Sequence, residues 1–131
     1  MKKLSVTIIT RNEEKNIARC LESVRWADEI IVIDTHSTDR TVDICRQFTD
    51  HVFCEDWQGY GRQKNLCAER ASHDWILNLD SDEEITQEGV EEIRARLKNE
   101  PLFPVYHFPR KNFFAHRWVR HGGWYPDRIS R

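Results

Sequence analysis

Apolar residues follow two alternating rhythms along the chain. Residues 4–10 form a β-rich run, whereas Ile17, Cys20, Leu21 and Val24 recur at helical spacing, with Asn12 placed to cap that helix. Residues 30–33 are a continuous branched apolar run ending in Asp34, as expected of an interior parallel strand covered on both faces. The polar loop His36-Ser37-Thr38-Asp39 supplies capping side chains for a second helix, with Ile44, Cys45 and Phe48 on one face. A short strand is expected at 51–54, a helix at 62–71 and a fourth strand at 75–79 that runs into acids. Thr86 can cap a last helix whose Val90, Ile93 and Leu97 face inward. Its Glu88 near the start and Arg94, Arg96 and Lys98 near the end complement the helix dipole. Trp26 and Trp75 read as core.

Strands alternating with helices at this spacing predict an α/β fold, with a mostly parallel central sheet flanked by helices. In such sheets ligands collect beyond the carboxyl ends of the strands. That rule selects three places: Thr10, Arg11, Asn12 and Glu13 after the first strand, Asp34 after the second, and Asp80 and Asp82 after the fourth.

Composition narrows the class. With 131 residues, 39% hydrophobic and 32% charged, the chain can bury one core and is expected to fold as a single compact domain or a large part of a bigger one. No apolar run approaches the roughly 20 residues of a membrane-spanning helix. The N-terminus lacks the features of a secretory signal, so a cytoplasmic location is the default expectation. A net charge of −2 gives no reason to expect nucleic acid as a partner. From Arg110 onward the chain is basic, with Asp127 as its only acid. That tail suits phosphates or a peripheral contact with an anionic membrane surface, or else is a solvated face. The four cysteines match no zinc-ligand spacing and read as reduced, buried thiols. After Pro101 the pattern changes to an apolar stretch at 105–108 and then to an aromatic, basic segment. The chain is therefore divided into 1–100 and 101–131 and read as part of a longer protein.

The candidate chemistry follows from the strand ends. Asp80-Ser-Asp82 gathers carboxylates where a hard cation, Mg2+ or Mn2+, finds oxygen ligands and can neutralise a diphosphate. Asp34 either caps the next helix or accepts from a base or ribose. Lys64 either reaches a phosphate or faces solvent. Trp118 and Trp124 form a sugar-stacking platform or simply pack. No His-Glu-x-x-His motif occurs among the six histidines.

Three blocks carry a resemblance in order and spacing: Leu4-Ser-Val-Thr-Ile-Ile-Thr-Arg-Asn-Glu-Glu14, Ile31-Val-Ile-Asp-Thr-His-Ser-Thr-Asp-Arg-Thr41 and Ile76-Leu-Asn-Leu-Asp-Ser-Asp-Glu83. Together they resemble the family 2 glycosyltransferases. Gly122-Gly-Trp-Tyr-Pro-Asp-Arg128 resembles the branch that contains lipopolysaccharide core β-glucosyltransferases. The resemblance implies a Rossmann-like glycosyltransferase A fold, a UDP-sugar donor, a divalent cation, a glycan or lipid-linked acceptor and inversion at the anomeric carbon. Carried over by position, Thr10, Arg11, Asn12 and Glu13 line the nucleotide pocket, Asp34 recognises uracil and Lys64 lies near the base or phosphates. Asp80 lies near the ribose, and Asp82 holds the metal with Asp80 beside it. The resemblance makes 1–100 the nucleotide-binding part and 101–131 the start of an acceptor-binding part, where Trp118 and Trp124, if they form a sugar-stacking platform, would meet the acceptor. The family's general base is expected beyond the chain, with Asp127 the acid available in the tail. Two alternatives stand beside this reading: a sugar nucleotidyltransferase, disfavoured because Thr10-Arg11-Asn12-Glu13 has no glycine, and a non-catalytic nucleotide-sugar-binding module.

Overall fold

A computed structural model describes residues 2–98 in full and the backbone of 105–108 and 117–121. The elements run β1 (Leu4–Thr10), α1 (Ile17–Ser23), β2 (Glu29–Asp34), α2 (Thr41–Cys45), β3 (Val52–Cys54), α3 (Tyr60–Arg70), β4 (Trp75–Asp80), α4 (Gln87–Lys98), β5 (Val105–Phe108) and β6 (Arg117–His121). They build one sheet in the order β3-β2-β1-β4-β6-β5. The first four strands in that order are parallel, while β6 pairs antiparallel with β4 and with β5.

Register is what positions the site. Thr10 lies opposite Asp34, Asp34 opposite Cys54, and Ile9 opposite Asp80, so the polar ends of three strands emerge along one edge of the sheet. Burial on both faces holds that alignment. Leu4, Val6 and Ile8 of β1 join Leu77 and Leu79 of β4, Cys20 and Leu21 of α1 and Ile93 of α4 in one cluster. The alternate positions Ser5, Thr7, Ile31 and Ile33 are also buried, and α3 packs against β1 and β2. A one-residue slip would exchange these two sets of side chains, so the register is tightly specified.

Several polar residues inside are partnered. Asn78 donates to the Thr7 hydroxyl at 3.2 Å. Glu29, at the opposite end of the sheet from the site, accepts from the Ser5 hydroxyl and from both the backbone and the hydroxyl of Ser72. Burial favours its neutral form, but those hydrogen bonds prevail and hold the carboxyl below its ordinary range.

Several expectations change in detail. Asn12 does not cap α1, which begins at Ile17 behind Asn16; it adopts a left-handed backbone (φ 50°) and bonds to a neighbouring loop instead. Asparagine tolerates that conformation better than most residues. α2 stops at Cys45, and Phe48 packs on the core from beyond the helix. Lys64 is 5% exposed, which removes the solvent-facing alternative. Trp75 is buried, whereas Trp26 is half-buried, with the Arg94 guanidinium 5.2 Å from its ring centroid. Thr86 does cap α4, accepting from the Gly89 amide at 3.1 Å. Among the described residues no helix is long and apolar enough to cross a membrane.

Cys20, Cys45 and Cys67 are buried and Cys54 is exposed. Burial pushes the thiols of Cys45 and Cys67 up to about 12, with the Asp34 charge adding to the effect at Cys45. Thiolate is the reactive form, so the native protein is expected to show one fast thiol with Ellman's reagent. Cys54→Ser should remove it. More than one fast thiol would mean that the helices do not cover the sheet as described.

Candidate functional site

The loops after β1 and β2 are laced together before any ligand arrives. Asp34 is fully buried, and its two carboxylate oxygens accept from the Ser37 amide at 2.8 Å and the Ser37 hydroxyl at 2.6 Å. The same hydroxyl accepts from the Asn12 amide at 2.7 Å, and the Asn12 side-chain oxygen accepts from the Thr38 amide at 2.8 Å. A second chain runs from the Glu13 amide to the Thr41 hydroxyl (2.8 Å), which donates in turn to Asp39 (2.5 Å). Asp39 also accepts from the amides of Thr41 and Glu14. The hydrogen bond from the Thr41 hydroxyl, aided by those amides, lowers the Asp39 carboxyl below its usual range. Ionised acceptors make these bonds stronger than neutral ones.

The acidic loop after β4 has its own brace. Glu83 is buried, its carboxylate accepts from the Asp80 amide at 3.0 Å, and its amide donates to the Asp80 carbonyl at 3.0 Å. The Cys20 thiol lies 3.5 Å from that same carbonyl, tying the loop to α1. Asp82 is exposed and Asp80 half-buried. One carboxylate oxygen from each of Asp80, Asp82 and Glu83 can be chosen so that all three lie within 4.8 Å of one another. Oxygen-only donors at the mouth of a cleft fit a hard divalent cation such as Mg2+ or Mn2+.

Between these loops lies an open cleft of about 410 Å³. Thr10, Arg11 and Glu13 line it from β1, Thr35 from β2, and Asp80, Ser81 and Asp82 from β4. Among the described residues, the lining carries the three carboxylates of Glu13, Asp80 and Asp82 against the single cation of Arg11. The Thr10 hydroxyl is buried and has no hydrogen-bond partner among the described residues.

The expected site residues therefore divide. Thr10, Arg11, Glu13, Asp80 and Asp82 come together in the cleft. Asn12 and Asp34 brace its walls through the bonds described, and Lys64 is buried in α3 near its N-terminal end, outside the lining. Trp118 falls on β6, where only backbone is described, and Trp124 and Asp127 lie outside the described residues.

Two lining residues escape sequence reasoning. Trp57 and Tyr60, in the segment from β3 into α3, are 48% and 68% exposed, and their rings meet edge to face at 4.8 Å. Gly59 between them adopts φ 97°, which suits glycine and turns the chain so that the rings can meet. The Asp56 carboxylate accepts from His36 Nε2 across 2.6 Å, tying this segment to the β2–α2 loop. Two aromatics flanking Gln58-Gly59 in a turn were the available signal.

Comparison with known proteins agrees with this arrangement. The glycosyl transferase family 2 profile matches residues 5–130. An uncharacterized glycosyltransferase of Rickettsia typhi is 47% identical over 94 residues, covering 71% of this chain and 32% of that protein. The lipopolysaccharide core biosynthesis glycosyltransferase LpsC of Rhizobium meliloti is 36% identical over 87 residues, covering 63% of this chain and 32% of LpsC. The chain thus spans about a third of the length of these curated relatives. Among solved structures, Staphylococcus aureus TarS 1–349 in complex with UDP-GlcNAc superposes with a TM-score of 0.60 at 28% identity, over 73% of this chain and 31% of TarS. With three acidic or polar strand ends on one edge of a parallel sheet and a profile match across nearly its whole length, the chain belongs to glycosyl transferase family 2 and has the glycosyltransferase A fold.

Proposed function

We propose that this chain forms the donor-binding part of an inverting glycosyltransferase that moves a hexose, glucose being the first to test, from a UDP-sugar to a lipopolysaccharide-core or other glycan acceptor. The acidic lining is the observation that carries the proposal. Among the described residues the lining sets three carboxylates against one guanidinium, so a diphosphate ligand there calls for a cation beside it. Asp82 and Asp80 are the residues to hold Mg2+ or Mn2+ there, with Glu83 keeping their loop in shape. Bound at that place, the cation would supply Lewis-acid stabilisation of the departing UDP.

The protein's own groups have separate tasks. Thr10, Arg11 and Glu13 receive the nucleotide, and the lacing through Asn12 and Asp34 keeps their loop in a fixed shape. Lys64, buried in α3, is the lysine to test for a contact with the base or phosphates. Direct displacement also requires a base for the acceptor hydroxyl. Asp127 is the acid of this chain to test in that role, and Trp118 and Trp124 are the aromatics to test against the acceptor sugar. The UDP-GlcNAc complex of TarS supports a UDP-sugar donor, and the likeness to the lipopolysaccharide core biosynthesis glycosyltransferase LpsC supports a lipopolysaccharide-core acceptor. Action at the inner face of the cytoplasmic membrane, with the basic tail touching anionic lipid, belongs to the same proposal.

Calorimetric titration of UDP into the protein tests the donor half directly. Binding is expected with Mn2+ present and is expected to vanish with chelator. Binding of equal strength in both conditions, or none in either, would overturn the metal-assisted reading.

A further inference from the structure

We infer that Trp57 and Tyr60 form an aromatic clamp for the nucleobase of the donor, a role that rests on the nucleotide reading of the cleft. Nothing in the fold requires this pair to be where it is. Both side chains are largely exposed, they touch each other edge to face rather than entering the core, and both line the cleft. With ring planes at 89° to one another, much of each ring face stays uncovered. An aromatic face open to a ligand cavity attracts another flat π-system.

Placement decides which part of the donor it meets. The pair follows β3, the edge strand, whereas the acids end β4, and β2 and β1 stand between them. Three interstrand steps amount to about 14 Å. A diphosphate beside Asp80 and Asp82 therefore leaves one end of the molecule to extend across β1 and β2 toward the aromatic pair. Thr10 and Thr35 line that path, and the Thr10 hydroxyl is buried without a partner among the described residues. A buried hydroxyl in that condition is costly unless a ligand completes it, and a base edge or ribose offers the matching group. The β4 flank, where β6 and β5 continue the sheet, is left for the sugar that an acceptor has to reach.

The segment is braced for this task. The His36–Asp56 contact ties it to the β2–α2 loop, so the clamp and the laced loops form the two walls of one slot. Edge-to-face contact between Trp57 and Tyr60 then limits each ring's freedom before the base arrives, which lowers the ordering cost of binding.

The test is calorimetric titration of the wild type, Trp57→Ala, Trp57→Phe and Tyr60→Ala with UDP and, separately, with inorganic pyrophosphate, all with Mn2+. UDP lacks the transferred hexose, so an effect on UDP that pyrophosphate does not share assigns the nucleoside rather than that hexose. Trp57→Ala is expected to weaken UDP binding about tenfold, the order of one base–aromatic stack. Pyrophosphate binding should stay unchanged, Trp57→Phe should restore most of the loss, and Tyr60→Ala should weaken UDP by a smaller factor. Wild-type affinity for UDP in Trp57→Ala would overturn the clamp, as would an equal loss for UDP and pyrophosphate. A wild-type protein that binds pyrophosphate but not UDP would overturn the nucleotide reading itself, a result separable from either of those.

Discussion

Replacing Asp82 by alanine is expected to abolish the Mn2+-dependent binding of UDP while leaving the folded protein as stable as before. Asp82 is exposed at the tip of the β4 loop, and its carboxylate lies within reach of those of Asp80 and Glu83. Truncation there removes a cation ligand but no part of the core, and surface substitutions of this kind usually change stability by less than about 0.5 kcal/mol. Loss of even an outer-shell partner commonly weakens a metal site by roughly 10–100-fold, so loss of a direct ligand should cost at least that much. Calorimetry with UDP and Mn2+, paired with a thermal melt, reads both quantities. Undiminished binding in Asp82→Ala would move the cation elsewhere in the cleft, whereas a lower melting temperature would show that the residue supports the loop.

Asp34→Ala should behave in the opposite way, losing stability first. The carboxylate is fully buried and takes two hydrogen bonds from Ser37, whose hydroxyl also receives the Asn12 amide. Hydrogen bonds to a charged acceptor are worth about 1.5–3 kcal/mol each, so a total loss of about 3 kcal/mol is expected. UDP affinity should fall with it, because the loop carrying Arg11 and Glu13 loses its anchor. Denaturant titration and calorimetry separate the two effects. An Asp34→Ala protein of wild-type stability that no longer binds UDP would make the carboxylate a direct reader of the base and not a brace.

These two acids illustrate how far residue patterns carry. Both stand at strand ends, and the continuous apolar runs before them, Ile30 to Ile33 and Trp75 to Leu79, mark those strands within a residue of where they lie. The three-stranded polar edge was legible for the same reason: burial on both faces leaves little ambiguity about where a parallel strand stops. What the pattern does not encode is which polar atom meets which. Asn12 carries the signal of a helix cap, yet its side chain bonds across 26 residues to Thr38, because the nearby loop offers amides that α1 does not. Lys64 sits on a helix whose mean character is polar, and only the packing of α3 onto β1 and β2 makes it a buried charge. Trp57 and Tyr60 were invisible for a related reason: an aromatic in a loop usually packs, and only the geometry of the cleft leaves these two uncovered.

The antiparallel partner of β4 has a bearing on how the protein is made. Every described residue lining the cleft falls between Ile9 and Asp82, so a growing chain contains that much of the cleft before β6 exists. During that interval β4 is an outer strand, with the row of amides and carbonyls that will later face Arg120 and Val119 still bare and an Ile76-Leu77 pair among them. Bare, flat, apolar edges invite pairing with other chains. Ligand binding to the early cleft favours the compact state by mass action but leaves that edge open. Pairing with β6 thus covers an apolar sheet edge that the cleft residues themselves leave open.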